Sequence, residues 1–278
     1  MKNLIKPIKA FSLPRHNLYR IGTLVHSKCL YRYMPMDAAI ASLRNNTIRM
    51  CSPSTWKDPF EKHFYEMAQR LGKMTDKPFD TALSALCVTT NPHCEAAWEM
   101  YSRKPEDKEC TELNLCVRFK IYTGQFREYL SKFAREMNYK IFEGKVDYSI
   151  SERQLRSIGN PQNKLTSGFC EDFDLNKYLN LMLLKRQQFS YENEVRFLCS
   201  GPSLGKEEIF IPIPWSQCLY SVQLHSDASD KSRELLRNAL EENYRKCLQD
   251  YPTRRLTLIN VPIIENTLYS PVPPIVMS

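Results

Sequence analysis

The stretch Phe189-Ser-Tyr-Glu-Asn-Glu-Val-Arg-Phe197 constrains this chain more than any other. Read as a β-strand it alternates: Tyr191, Asn193, Val195 and Phe197 point one way, and Glu192, Glu194 and Arg196 the other. Residues on one face of a strand stand roughly 6.8 Å apart, from a rise of about 3.4 Å per residue. A fold that contains it must bury one face and hold two carboxylates and a guanidinium in a row on the other. Rigid presentation of that kind is what a catalytic acid needs. The same residues also read as a plain salt-bridged strand, or as a helical turn in which Glu192 pairs with Arg196 four positions on.

Around this stretch the pattern is of short strands with few helices between them. Leu24–Tyr33, Thr47–Ser52, Leu83–Thr89, Leu113–Tyr122, Glu208–Ile213, Leu219–Leu224 and Arg255–Val261 read as strands. Helices are expected from Asp37 to Leu43, over His93–Ser102, Gly124–Met137 and Leu175–Gln188, and roughly over Lys231–Leu248. The strongest helix start is Asp58 as N-cap, Pro59 in the first turn and Glu61 completing a capping box. Phe60, Phe64, Met67, Ala68 and Leu71 form its apolar stripe, and Gly72 is expected to end it. Residues 139–171 carry no clear period. Because several strands follow one another without a helix, the expected class is α+β, a mixed, largely antiparallel sheet core with flanking helices. The organisation reads as a basic, irregular arm over 1–18, a single α+β domain over 19–270 and a Pro-rich tail over 271–278.

Charge matters here by its placement. Residues 1–50 hold nine basic side chains against one acid, Asp37, so this segment carries the whole formal net charge of +8. A basic segment on a neutral body suits a polyanion, since each phosphate contact releases counterions. Lys2, Lys6, Lys9, Arg15, Arg20 and Lys28 are the expected nucleic-acid contacts; the alternative is a merely solubilising face. Ten cysteines with no Cys-x-x-Cys pair fit no disulfide framework. Cys87, Cys116 and Cys199 read as small core residues in a reducing cytoplasm, and His93-Cys94 is too little for a metal site. No apolar run approaches 18 residues and no basic-then-apolar leader opens the chain, so neither a membrane span nor a signal peptide is expected. With eight glycines and no Gly-x-Gly-x-x-Gly or Walker pattern, any nucleotide must be gripped by side chains.

Several spaced pieces occur in a telling order: Tyr31-Arg-Tyr33, Leu43-Arg-Asn-Asn-Thr-Ile48, Ser52-Pro-Ser, Lys57-Asp-Pro-Phe-Glu61, Trp98-x-x-Tyr101, Lys185 and Tyr191-Glu-Asn-Glu-Val-Arg196. Together, over about residues 30–225, they resemble a widespread bacterial family of unknown function whose members often lie in phage-defence gene clusters. Lys57 stands where that family usually has Asn, and Phe189 where it often has Trp. More distantly, the order of basic strand, Ser-containing strand and Glu-x-Glu strand resembles ADP-ribosyltransferases, including toxins that modify nucleic acid. That resemblance implies an ADP-ribosyltransferase-like fold and NAD as substrate. It implies Arg32 on the NAD pyrophosphate or adenosine ribose, Ser52 or Ser54 in the Ser-strand motif, Glu194 as catalytic glutamate and Glu192 as its upstream partner. Nucleic acid would be the acceptor, and an antitoxin or defence-system protein a possible partner.

The chemistry asks for such groups independently. Breaking a nicotinamide–ribose bond builds positive charge on the sugar, as in glycoside cleavage. A carboxylate facing that charge stabilises it, and a second can take the proton of the incoming nucleophile. Tyr191, Trp98 or Tyr101 offer aromatic faces for nicotinamide or a base. Each residue has a plainer alternative: Arg32 as part of the basic arm, Ser52 and Ser54 as turn builders, Asp58 and Glu61 as caps, Trp98 and Tyr101 as core. Two other functions compete. One is a nuclease-like defence effector in which Glu192, Glu194 and Asp58 bind a divalent metal; the other is a non-catalytic module that binds nucleic acid or protein.

Overall fold

The computed structural model describes residues 11–12, 17–23, 25–74, 82–102, 112–149, 151, 153, 174–201, 204, 208–250, 261–264 and 266. In chain order the strands are β1 (Phe11–Ser12), β2 (Leu18–Ile21), β3 (Cys29–Pro35), β4 (Thr47–Cys51), β5 (Leu83–Thr89), β6 (Cys116–Tyr122), β7 (Lys140–Lys145), β8 (Glu194–Ser200), β9 (Glu208–Pro212), β10 (Leu219–Leu224) and β11 (Ile263–Ile264). The helices are α1 (Met36–Asn45), α2 (Pro59–Met74), α3 (Glu95–Tyr101), α4 (Thr123–Glu136), α5 (Leu175–Leu181), α6 (Trp215–Cys218) and α7 (Asp230–Asp250). They fall into two compact units: Met1–Lys28, Ile48–Pro92 and Gly124–Ile213 in the first, and Cys29–Thr47, His93–Thr123 and Pro214–Ser278 in the second. In each unit an open, largely antiparallel sheet carries flanking helices, the α+β class expected from the strand pattern. No helix among the described residues is long and apolar enough to cross a membrane.

In the first unit the strands run β1-β2-β7-β8-β5, with β4 on β5 and β9 on β4. Of these pairs, β2–β7 is parallel, while β7–β8 and β8–β5 are antiparallel. Strand β8 lies in the middle and is buried along its whole length. Its two faces meet different layers. Phe197 stands edge-on to Phe126 of α4 at 5.6 Å. Leu198 joins Phe64 and Tyr65 of α2 and Tyr178, Leu179 and Leu181 of α5 in one core. Gly144, in register with Arg196, makes room for that second layer: a Cβ there would fall 2.3 Å from Leu183 Cδ1 and 3.1 Å from the Ile21 carbonyl.

In the second unit the order is β3-β6-β10-β11, antiparallel except for β10–β11. Leu30, Phe119, Ile121 and Val222 are fully buried, and Phe119 meets Trp215 of α6 edge-on at 5.3 Å. Helix α1 ends at Asn46, whose φ of 51° closes the helix in the left-handed conformation. The Leu43 carbonyl accepts from the Asn46 amide at 3.3 Å and from the Asn243 side chain of α7 at 2.7 Å, and the Trp215 indole donates to the Ser42 carbonyl at 3.1 Å.

Several boundaries differ from expectation. The strand expected over 189–197 begins only at Glu194, and Gln187–Glu192 is a 3-10 helix closed by Asn193 at φ 44°. The helix expected over Leu175–Gln188 stops at Leu181. Residues 1–18 were expected to be irregular, but Phe11–Ser12 forms β1 and Leu18 opens β2 against β7, inside the stretch without a clear period. The strand expected at Leu24 starts at Cys29, and α2 runs past Gly72 to Met74. Helix α1 is entered from Pro35, with Asp37 in its first turn instead of at its cap. The strand expected over 255–261 lies outside the described residues up to 260.

Candidate active site

Four pieces of the first unit bring their charges to one place. Asp58 accepts from the Phe60 amide at 2.9 Å and starts α2, which sets Glu61 in its first turn. Glu61 does not reach back as a capping box would; its carboxylate pairs with Arg196. Beyond α5, the apolar run Leu181–Leu184 is buried, and the chain then delivers Lys185 and Arg186. The 3-10 turn places Glu192, and β8 places Glu194 and Arg196.

At the centre stands the Lys185 ammonium, 2.6 Å from Glu192 Oε2, 3.4 Å from Glu194 Oε2 and 3.7 Å from Glu61 Oε2. Arg196 grips Glu194 with two bonds, Nε to Oε1 at 3.0 Å and Nη2 to Oε2 at 2.9 Å. Its remaining amino group donates to the Met182 carbonyl at 2.6 Å, and its guanidinium lies 4.2 Å from the centroid of the Trp56 ring. The Tyr148 hydroxyl accepts from the Glu194 amide at 3.1 Å. Beside this cluster Arg186 bonds Asp58 at 3.2 Å and faces the rings of Phe60 and Phe189. Three carboxylates thus meet two cations, which leaves one negative charge in excess when all three are ionised.

The two glutamates flanking Asn193 are pushed in opposite directions. Burial alone would raise both. At Glu194 the Arg196 and Lys185 charges outweigh burial and hold the carboxyl at about 2. At Glu192 burial, with the Glu194 charge behind it, outweighs Lys185, and its pKa is raised. Glu61 is raised in the same way by burial against the pull of Arg196. Lys185 is raised: its neighbouring carboxylates overcome the burial that would lower it. Exposure separates the pair as well, with the Glu192 side chain 14% accessible and that of Glu194 7%. Glu192 has the more open carboxyl, and only its Oε2 is taken by Lys185.

The chain matches no family model, no curated protein and no solved structure.

The motifs of the sequence therefore stand on their own residues, and the geometry sorts them. Glu192 and Glu194 come together around Lys185, though as the end of a turn and the start of a strand, not as neighbours on one strand face. The Ser52-Pro-Ser turn is built by its own side chains. Ser52 Oγ accepts from the Ser54 amide at 3.3 Å and from the Ser54 hydroxyl at 2.9 Å, and the chain leads on to Trp56 over Arg196. Tyr191 is exposed beside Phe189, with its carbonyl accepting from Asn91. Arg32 belongs to the second unit, half-buried on β3 in register with Phe119. Trp98 is 2% exposed and edge-on to Tyr33, a core residue with no face free for stacking. Arg20 is half-buried on β2 and Lys28 exposed before β3, while Lys2, Lys6, Lys9 and Arg15 lie outside the described residues.

Glu61, Cys87, Tyr148 and Trp56 are members that the sequence reading did not place in the site. Cys87 sits in register with Arg196, and its thiol hydrogen-bonds Glu194. A clue to Lys185 was available: a lysine directly after four apolar residues needs a buried anion. Nothing marked Tyr148, which lies in the stretch without period. Among the described residues no group of three or more His, Cys, Asp or Glu is placed to hold a metal ion. Glu61, Glu192 and Glu194 instead surround an ammonium. In the second unit a cavity of about 730 Å³ is lined by Trp215, Leu240, Tyr244, Arg237 and Val261, and none of the clustered glutamates lines it.

Proposed function

We propose that the protein is an ADP-ribosyltransferase that takes NAD as substrate and transfers ADP-ribose to nucleic acid, as an effector of bacterial defence. The observation that carries this reading is the unequal pair of carboxyls: Glu194 kept ionised and Glu192 raised beside it, both touching Lys185. Neighbouring carboxyls driven apart in this way divide the roles of fixed anion and proton carrier. The order of motifs shared with ADP-ribosyltransferases supports the choice of NAD.

In this reaction the bond from nicotinamide nitrogen to ribose C1′ breaks, and its electron pair leaves with nicotinamide, which departs neutral. Positive charge spreads over C1′ and the ring oxygen. An oxygen or nitrogen of the acceptor then bonds to C1′, and its proton passes to Glu192. Glu192, whose side chain is the more exposed of the two, takes the role of meeting substrate in this reading, in place of the Glu194 expected from the sequence. Glu194 acts through Lys185 and Arg196 as a positioning residue and keeps the local field negative, which favours the sugar cation. A raised carboxyl is suited to accepting a proton, because its pKa lies closer to the working pH.

The test is release of nicotinamide and the mass gain of RNA or DNA strands incubated with NAD. Wild type is expected to transfer, and Glu192→Gln to lose ~10²–10⁴-fold in rate, the usual worth of a general base. Absence of nicotinamide release with every acceptor tried, or an unimpaired Glu192→Gln, would contradict the reading.

A further inference from the structure

The sheet of the second unit has one face sealed by helices and a second face of a different character. Register fixes which residues share it: Tyr31 pairs with Lys120, Tyr33 with Arg118, and Ser221 with Lys120. Tyr122, two positions beyond Lys120, looks the same way. Between Leu219 and Ser221 the β10–β6 register shifts, and the extra residue is Tyr220. Such a bulge turns a side chain out of the regular alternation. Here it brings the Tyr220 ring, 39% exposed, to the Lys120 ammonium at 3.9 Å and to the Tyr122 ring at 5.0 Å. Arg118 lies 5.0 Å from the centroid of Tyr31. Helix α3 meets the Tyr33 end through Trp98, and the half-buried Tyr31 packs against the same cluster, while Lys120 and Tyr122 are half-buried and Tyr220 is exposed.

Tyrosines alternating with cations at strand spacing are what an unpaired polynucleotide requires: π-faces for bases, and positive charge for the phosphates between them. A duplex offers no free base faces, and an acidic peptide would use the cations but not the rings. We propose that this face binds single-stranded nucleic acid, with Tyr220 stacking on a base and Lys120 contacting the backbone. The inference deepens the acceptor half of the function proposed above and rests on it.

Binding is measured by fluorescence anisotropy with a labelled single-stranded oligouridylate and the full chain, without NAD. Wild type is expected to bind the single strand in preference to a duplex of the same length. Tyr220→Ala is expected to weaken binding ~10-fold, with Tyr220→Phe close to wild type, as stacking demands. Lys120→Gln should lower the salt slope of log affinity by ~0.7, the share of one phosphate contact on a single strand. Thermal melting of each variant separates lost binding from lost fold. Wild-type affinity in Tyr220→Ala, equal loss in Tyr220→Phe, or preference for duplex would overturn the inference. Nicotinamide release from NAD, followed with RNA and DNA acceptors present, reads the Glu192 chemistry separately. Release without strand binding to this face sinks this surface alone, and strand binding with no release in the presence of any acceptor sinks the transferase reading.

Discussion

Lys185 is the residue on which the charged cluster depends. Its side chain is 11% exposed, and three carboxylates converge on its ammonium. Removing one partner of a buried ionic group strands the other charges, a loss of about 3–5 kcal/mol, whereas the intact group need not stabilise more than apolar packing would. Lys185→Met is therefore expected to lower the unfolding free energy by ~3–5 kcal/mol in urea titrations. The Arg44–Glu242 pair makes the contrast, since its side chains are 47% and 44% exposed and solvent screens it. Arg44→Ala should cost under ~1 kcal/mol in the same titration. An equal loss at both positions would mean that the cluster around Lys185 behaves as a solvated face.

At the scale of elements, much of the framework was legible. The cap at Asp58, the apolar stripe of α2 and the alternation of β5 and β6 needed only local chemistry, and those elements form where their residues place them. Asp58→Ala removes the bond to the Phe60 amide and the partner of Arg186 together. It is expected to cost ~1–2 kcal/mol, the upper part of the range for a helix cap, read as a lowered melting temperature. Loss within measurement error would show that Pro59 alone sets the helix start. What sequence could not show was decided over distance. Helix α5 stops early because Arg196, fourteen positions on, takes the Met182 carbonyl. The strand at Glu194 starts late because Asn193 turns left-handed and bonds Thr90 at 2.7 Å, far back in the chain. Glu61 looked like the far end of a capping box, since its distance from Arg196 along the chain hides their pairing. Trp56 and Tyr148 enter the site by the same long-range route.

For the whole molecule, the cluster makes folding sensitive to protons in two opposed ways. Glu194 is held below its ordinary 4.5, so its contribution to stability is present above that value and is lost as pH falls toward about 2. Glu192 and Glu61 are raised, so the folded state holds their protons more tightly, and their share is lost as pH rises above 4.5. The function proposed depends on that opposition, because a permanent anion and a proton carrier cannot be the same kind of carboxyl. Carbon-13 NMR titration of the glutamate side-chain carboxyls, assigned with Glu192→Gln and Glu194→Gln, measures it directly in the folded protein. One of the two is expected to titrate near 2 and to be lost in Glu194→Gln, and the other to titrate above 4.5 and to be lost in Glu192→Gln. Two carboxyls titrating together near 4.5 would contradict that opposition.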